Sequence, residues 1–256
     1  MIASVLLPLS RPELPAHTLV KCGELFGISS GTCRVALSRM VAAGELEAND
    51  GSYRLTGTLL DRRQRQEQGR RPRLVDSGGR WWVAVVTAEG RDASERAALR
   101  TALGRLRMGE LREGVWARPD NFADWDDQLR RAGSAVAQCH WFSSVPARIA
   151  AAANGRSLAE RLWDLDDWAD LARVLVGELS GQMPLLHQGD TRALAPGFRV
   201  AAGVVRHLTS DPLLPEELLP ARWPGPRLRA DYDAYEEAYQ RVLRDWLRSA
   251  QRDVAP

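Results

Sequence analysis

The chain has 256 residues, 45% of them hydrophobic, and a formal net charge of +2. That length and composition suit two or three small domains and exclude a wholly disordered chain. No apolar stretch approaches the roughly 20 residues of a membrane span, and no basic region precedes the short run from Ile2 to Leu9, so a soluble, cytoplasmic protein is expected. Cys22, Cys33 and Cys139 form no C-x-x-C pair, which points to core filler rather than a metal site or disulfide framework. Residues 1–75 hold 11 basic and 7 acidic side chains against 24 and 26 beyond, leaving +4 in the N-terminal part and −2 in the rest.

In chain order, Ile2 to Leu9 supplies a short first helix. Leu19, Cys22, Leu25 and Phe26 recur at helical spacing within Thr18–Phe26, giving a supporting helix. Gly27-Ile28-Ser29 is then a turn. Ser29 caps a helix that runs to Gly44, a residue type that ends helices at low cost. At about 100° per residue, Cys33, Ala36, Leu37 and Met40 share an apolar face. Gly31, Thr32, Arg34, Val35, Ser38 and Arg39 lie opposite, with no acid among them. Small residues, two arginines and no carboxylate suit a surface that approaches phosphates in a major groove. Asn49-Asp50-Gly51 between Glu45-Leu46-Glu47 and Ser52-Tyr53-Arg54-Leu55 reads as a hairpin, because Asp-Gly supplies the positive φ angles of a tight turn. The expected unit is a winged helix-turn-helix over residues 1–60. Its candidate DNA contacts are Ser29, Ser30, Thr32, Arg34, Ser38 and Arg39 on the helix, with Asn49, Tyr53 and Arg54 on the wing.

Gly27-Ile28-Ser29-Ser30-Gly31 also matches G-x-S-x-G, the nucleophile elbow of hydrolases. That elbow needs a strand before the serine, whereas a helical pattern precedes it here, so no enzyme is expected. Residues 61–79, with Arg62, Arg63, Arg65, Arg70, Arg71 and Arg73 among Gln, Gly and Pro, read as a basic linker with affinity for phosphates.

Trp81 to Thr87 is an apolar run of the kind buried in a sheet. A helix over Ala93–Leu106, a strand over Val115–Arg118, a helix over Ala123–Arg131 and a strand over Ala135–Ser143 follow. This β-α-β-α-β order fits a small ferredoxin-like domain over residues 80–146. Beyond Pro146 the chain is helical over 147–256, with Leu158, Leu162, Leu165, Trp168, Leu171, Leu175 and Leu179 at spacings of three and four. Asp211 to Pro215 and Trp223 to Pro226 form a proline-rich connection. Tyr232, Tyr235, Tyr239, Val242 and Trp246 make a core stripe on a last helix. The fold class expected is α+β.

These segments resemble the PaaX family of transcriptional repressors over nearly the whole chain. The resemblance lies in Gly27, Ile28, Ser29, Arg34, Ala36, Leu37, Ser38, Arg39, Met40, Val41 and Gly44. It continues in Tyr53-Arg54-Leu55-Thr56, the basic segment, the tryptophan-led strand and Gly114-Val115-Trp116-Ala117-Arg118-Pro119-Asp120-Asn121. Trp163-Asp164-Leu165, Asp211-Pro212-Leu213-Leu214-Pro215 and Trp223-Pro224-Gly225 complete it. The chain departs from the family at Pro8, Pro12 and Pro15, which shorten the first helix.

The resemblance implies a central domain similar to the CRISPR protein Cas2 and a homodimer on partly palindromic operator DNA. It also implies release by an aryl- or acyl-coenzyme A effector such as phenylacetyl-coenzyme A. No cofactor or metal is implied. A thioester of that kind needs cations for its phosphates and an apolar pocket for its acyl part. Trp116, Arg118, Trp163, Arg206 and His207 are the effector candidates from the matching segments. Two other classes compete: a metal-dependent nuclease using Glu89 at the end of the Trp81 strand, and an architectural DNA-binding protein without an effector.

Overall fold

The computed structural model describes residues 1–7, 9, 11–144 and 155–252. Pro8 and the boundary expected at Pro146 lie outside the described residues. In chain order the elements are α1 (Ile2–Leu6), β1 (Glu13–Pro15), α2 (Ala16–Leu25), α3 (Ser30–Ala42), β2 (Leu46–Asn49), β3 (Ser52–Leu55) and α4 (Gly57–Arg70). Next come β4 (Trp81–Val86), α5 (Ala93–Arg105), β5 (Gly109–Arg112), β6 (Val115–Pro119), α6 (Trp125–Arg131) and β7 (Cys139–Ser144). Four helices close the chain: α7 (Gly155–Leu162), α8 (Leu165–His187), α9 (Leu194–Ser210) and α10 (Gly225–Arg252).

Two compact units result. The first joins Met1–Arg70 to Ala172–Thr209 and Pro226–Pro256; the second joins Arg71–Leu171 to Ser210–Gly225. The C-terminal helices are thus divided between the two units.

In the first unit, Leu6, Leu19, Val20, Cys33, Leu37, Leu46, Leu55 and Leu59 form one apolar cluster. It lies among the N-terminal helices and a three-stranded antiparallel sheet ordered β1-β3-β2. Strand β1 was not expected. It is only three residues long and ends on Pro15, and its place at a sheet edge tolerates a residue without a ladder N–H. The basic segment expected as a linker is helical through Arg70. Its hold comes from α10: Arg70 pairs with Asp233 and Glu236, and Arg229 donates to the Gly69 carbonyl at 2.9 Å. Burial opposes the charge on Arg70, but the two carboxylates outweigh it and raise its pKa. The tyrosine stripe of α10 is buried as expected, with Tyr239 donating to the Leu194 carbonyl at 3.0 Å.

In the second unit, the four-stranded sheet runs β5-β6-β4-β7 with antiparallel neighbours throughout. With α5 and α6 this is the β-α-β-β-α-β arrangement of ferredoxin-like domains. The sequence reading missed β5, whose four residues carry a register shift near Glu110. Strand β4 buries both faces, as its apolar run implied. Trp82, Ala84 and Val86 pack in one cluster with Leu103, Trp116 and Trp125. Trp81 and Val83 join Leu158, Leu165 and Leu214 in another. Asp92 and Glu95 form a capping box that starts α5.

Candidate nucleic-acid interface

Helix α3 is placed by α2 and the turn between them. Gly27 has φ 73°, and the Ile28 N–H donates to the Gly23 carbonyl at 2.9 Å. Ser29 is the N-cap: its Oγ accepts from the Thr32 N–H at 3.2 Å and lies 2.9 Å from the Thr32 hydroxyl. One face is fixed by Cys33 and Leu37, each 1% exposed, with the Cys33 thiol donating to the Leu19 carbonyl at 3.5 Å. Burial raises the pKa of both neighbouring thiols, that of Cys22 to about 11, so they serve as packing groups rather than nucleophiles.

The opposite face carries the expected residues together. Ser30, Gly31, Thr32, Arg34, Val35, Ser38 and Arg39 are all exposed, and the helix holds no acid. Arg34 and Arg39 make no ion pair among the described residues. Ser38 donates to the Arg34 carbonyl at 3.2 Å, which leaves its oxygen as an acceptor. Val35, 53% exposed between the arginines, adds an apolar group to this face, where its helical position already placed it.

The hairpin turn has φ 44° at Asp50 and 77° at Gly51, the pair of positive angles that a two-residue type I′ turn requires. Asn49 faces Ser52 across it and is exposed. Arg54 and Glu47 pair at 2.6 Å with each side chain about half exposed; that hydrogen bond raises the guanidinium's pKa. Arg54 is therefore committed to a neighbour in a way that Arg34 and Arg39 are not. Tyr53 is half-buried against the apolar cluster, a packing role that its strand position also allows.

The effector candidates are not gathered in one compact unit. Trp116, Arg118 and Trp163 belong to the second, Arg206 and His207 to the first. Trp116 is in a core cluster. Arg118 is fully buried and spends its donors on the Leu106 carbonyl (2.9 Å), the Pro119 carbonyl (3.0 Å) and Asn121 Oδ1 (2.7 Å). Full burial and these contacts give Arg118 a structural part within the second unit. Trp163 packs on Trp81 and borders a cleft with Arg156, Glu160 and Asp164. His207 is buried, whereas Arg206 is exposed. The Ser29 turn follows α2 rather than a strand, which removes the elbow reading. Glu89 is exposed after β4, and among the described residues no three His, Cys, Asp or Glu side chains are grouped to hold a metal. No helix among the described residues is long and apolar enough to cross a membrane.

Comparison with known proteins agrees with these segments. Residues 1–59 match the family of PaaX-like proteins, residues 75–154 the PaaX protein central Cas2-like domain, and residues 163–249 the PaaX-like protein C-terminal domain. The transcriptional repressor PaaX of Escherichia coli is 26% identical over 224 residues, covering 83% of this chain and 70% of that protein. A solved structure of the uncharacterized protein Rv0674 from Mycobacterium tuberculosis is 39% identical, with a TM-score of 0.73, covering 96% of this chain and 97% of the other. With its three parts matched in order along the chain, the protein belongs to the PaaX family.

Proposed function

We propose that the protein is a transcriptional repressor that binds a partly palindromic operator as a homodimer and releases it when an aryl- or acyl-coenzyme A such as phenylacetyl-coenzyme A binds. The observation that carries the DNA-binding part is the acid-free exposed face of α3, with two unpaired arginines among small polar residues. In this reading residues 1–60 are a winged helix-turn-helix, with α2 crossing the backbone and α3 entering the major groove. Arg34 and Arg39 read guanine or grip phosphate, Ser29, Ser30, Thr32 and Ser38 supply hydrogen bonds, and Val35 offers a methyl contact to thymine. Asn49 and Arg54 on the hairpin reach the adjacent backbone. The similarity to a named repressor supports repression as the outcome. Two such heads on a dimer meet half-sites spaced by about 34 Å or a multiple of it.

The test is fluorescence anisotropy on the DNA upstream of the protein's own gene against scrambled DNA, at one stated salt concentration, with and without phenylacetyl-coenzyme A. Selective binding that the thioester reverses is expected. Arg34→Ala lowers the operator affinity by about 1–3 kcal/mol where the side chain reads a base. Equal, weak binding to both DNAs overturns the operator reading, and selective binding that ignores the thioester overturns the effector.

A further inference from the structure

Helices α1, α2, α4, α9 and α10 of the first unit enclose a cavity of about 450 Å³, a size typical of small-molecule sites. Its apolar side is aromatic. Phe26 and Phe198 meet with ring centroids 4.9 Å apart, and Tyr232, Tyr235 and Tyr239 of α10 continue the surface. Its polar side is cationic, with five arginines and two glutamates on the walls. Of these, Arg70 is held by Asp233 and Glu236. Arg62, Arg63 and Arg206 make no ion pair among the described residues.

Free cations beside an aromatic floor select for a ligand with two parts. A neutral apolar molecule leaves the arginines unused, and a bare phosphate leaves the rings unused. Arginine's planar donors suit phosphate and carboxylate oxygens, while tyrosine and phenylalanine rings suit a flat or branched apolar group. We infer that this cavity is a ligand site for an amphipathic anion, with an aromatic or acyl body on the rings and a phosphate or carboxylate head at Arg62, Arg63 and Arg206.

The same walls connect the site to α3. Phe26 is the C-cap of α2, and its N–H donates to the Gly23 carbonyl at 3.0 Å immediately before the turn that sets α3. At Gly23 the two helices touch closely, a Cβ there standing 3.4 Å from Cys33 Sγ. A ligand that parts Phe26 from Phe198 therefore moves α2 and the helix packed on it. That output, though not the ligand site itself, rests on the DNA-binding reading above.

The experiment is isothermal titration calorimetry of the full chain without DNA, using phenylacetyl-coenzyme A, coenzyme A alone and phenylacetate as separate probes. Wild type, Arg206→Ala and Ala202→Phe are compared, the last filling the cavity from α9; circular dichroism checks that each is folded. Binding of phenylacetyl-coenzyme A or phenylacetate is expected to be at least about tenfold tighter than that of coenzyme A alone. The first of those outcomes identifies a phosphate head, the second a carboxylate. Both variants should weaken it by about tenfold or more. Folded variants that bind as wild type does place the ligand elsewhere and overturn the assignment, as does a wild type that titrates neither probe. Because DNA is absent, loss of binding in the variants supports the cavity even where no operator is bound.

Discussion

Arg118 shows how a residue's role depends on the face it occupies. It lies two positions from Trp116 on β6, so strand periodicity puts both on the same side of the sheet, and that side is core. Its guanidinium stacks 3.4 Å from the centroid of the Phe122 ring, and burial, followed by the nearby Arg107 charge, pushes its pKa down. Asn121, which receives one of its hydrogen bonds, donates in turn to the Leu213 carbonyl at 2.8 Å. Arg118 thus fastens the end of β6 to the proline-rich connection. Hydrogen bonds from a charged donor contribute about 1.5–3 kcal/mol each, so Arg118→Ala should lower the chain's urea or thermal midpoint by an amount equivalent to several kcal/mol. Arg118→Lys should recover little, since an ammonium lacks the planar fork. A midpoint unchanged in Arg118→Ala would remove this fastening role. Arg34 and Arg39 were legible for the complementary reason: helical periodicity alone separates them from Cys33 and Leu37.

At the scale of elements, legibility followed local pattern. Helix α3 carries its cap, its apolar stripe and its stop within its own sequence, and its observed bounds sit close to those expected. Helix α4 has no apolar side chain after Leu60 and is held through Arg70 and Gly69 by α10, more than 150 residues away in the chain; no local pattern announces such a partner. Strands β1 and β5 are too short to show alternation. The packing of α9 on α10 and α8 is equally non-local and gives a paired prediction. A Cβ at Gly197 would lie 2.3 Å from the buried Tyr235 hydroxyl, whereas one at Gly203 would lie 3.5 Å from Leu175 Cδ2, an ordinary contact. Alanine in a helix gains up to about 1 kcal/mol over glycine, and overpacking costs about 1–3 kcal/mol. Gly203→Ala should therefore stabilise the protein slightly and Gly197→Ala destabilise it, read as opposite shifts of the thermal midpoint. Shifts of the same sign in both variants would contradict the close packing at Gly197.

For the molecule as a whole, the family resemblance gave the order of parts along the chain, while the compact units cut across that order. The N-terminal 70 residues share a unit with stretches beginning at Ala172 and Pro226, an association set by tertiary packing between distant stretches. Charge, in contrast, was legible from counting. The N-terminal part carries the net positive charge, so under the DNA-binding proposal affinity should fall with salt as counterions are released, log K declining by about 0.9 per phosphate neutralised for each unit of log salt concentration. This separates two roles that one affinity value cannot distinguish. If Arg34 grips phosphate, Arg34→Ala weakens operator and scrambled DNA alike and makes the salt slope shallower by about 1. If Arg34 reads a base, the loss is confined to the operator and the slope is kept. The open helix face and the absence of an ion pair at Arg34 admit either role, so anisotropy titrations on both DNAs at several salt concentrations should show one of these two patterns. An Arg34→Ala variant with unchanged affinity and slope on both DNAs would take this residue out of the interface.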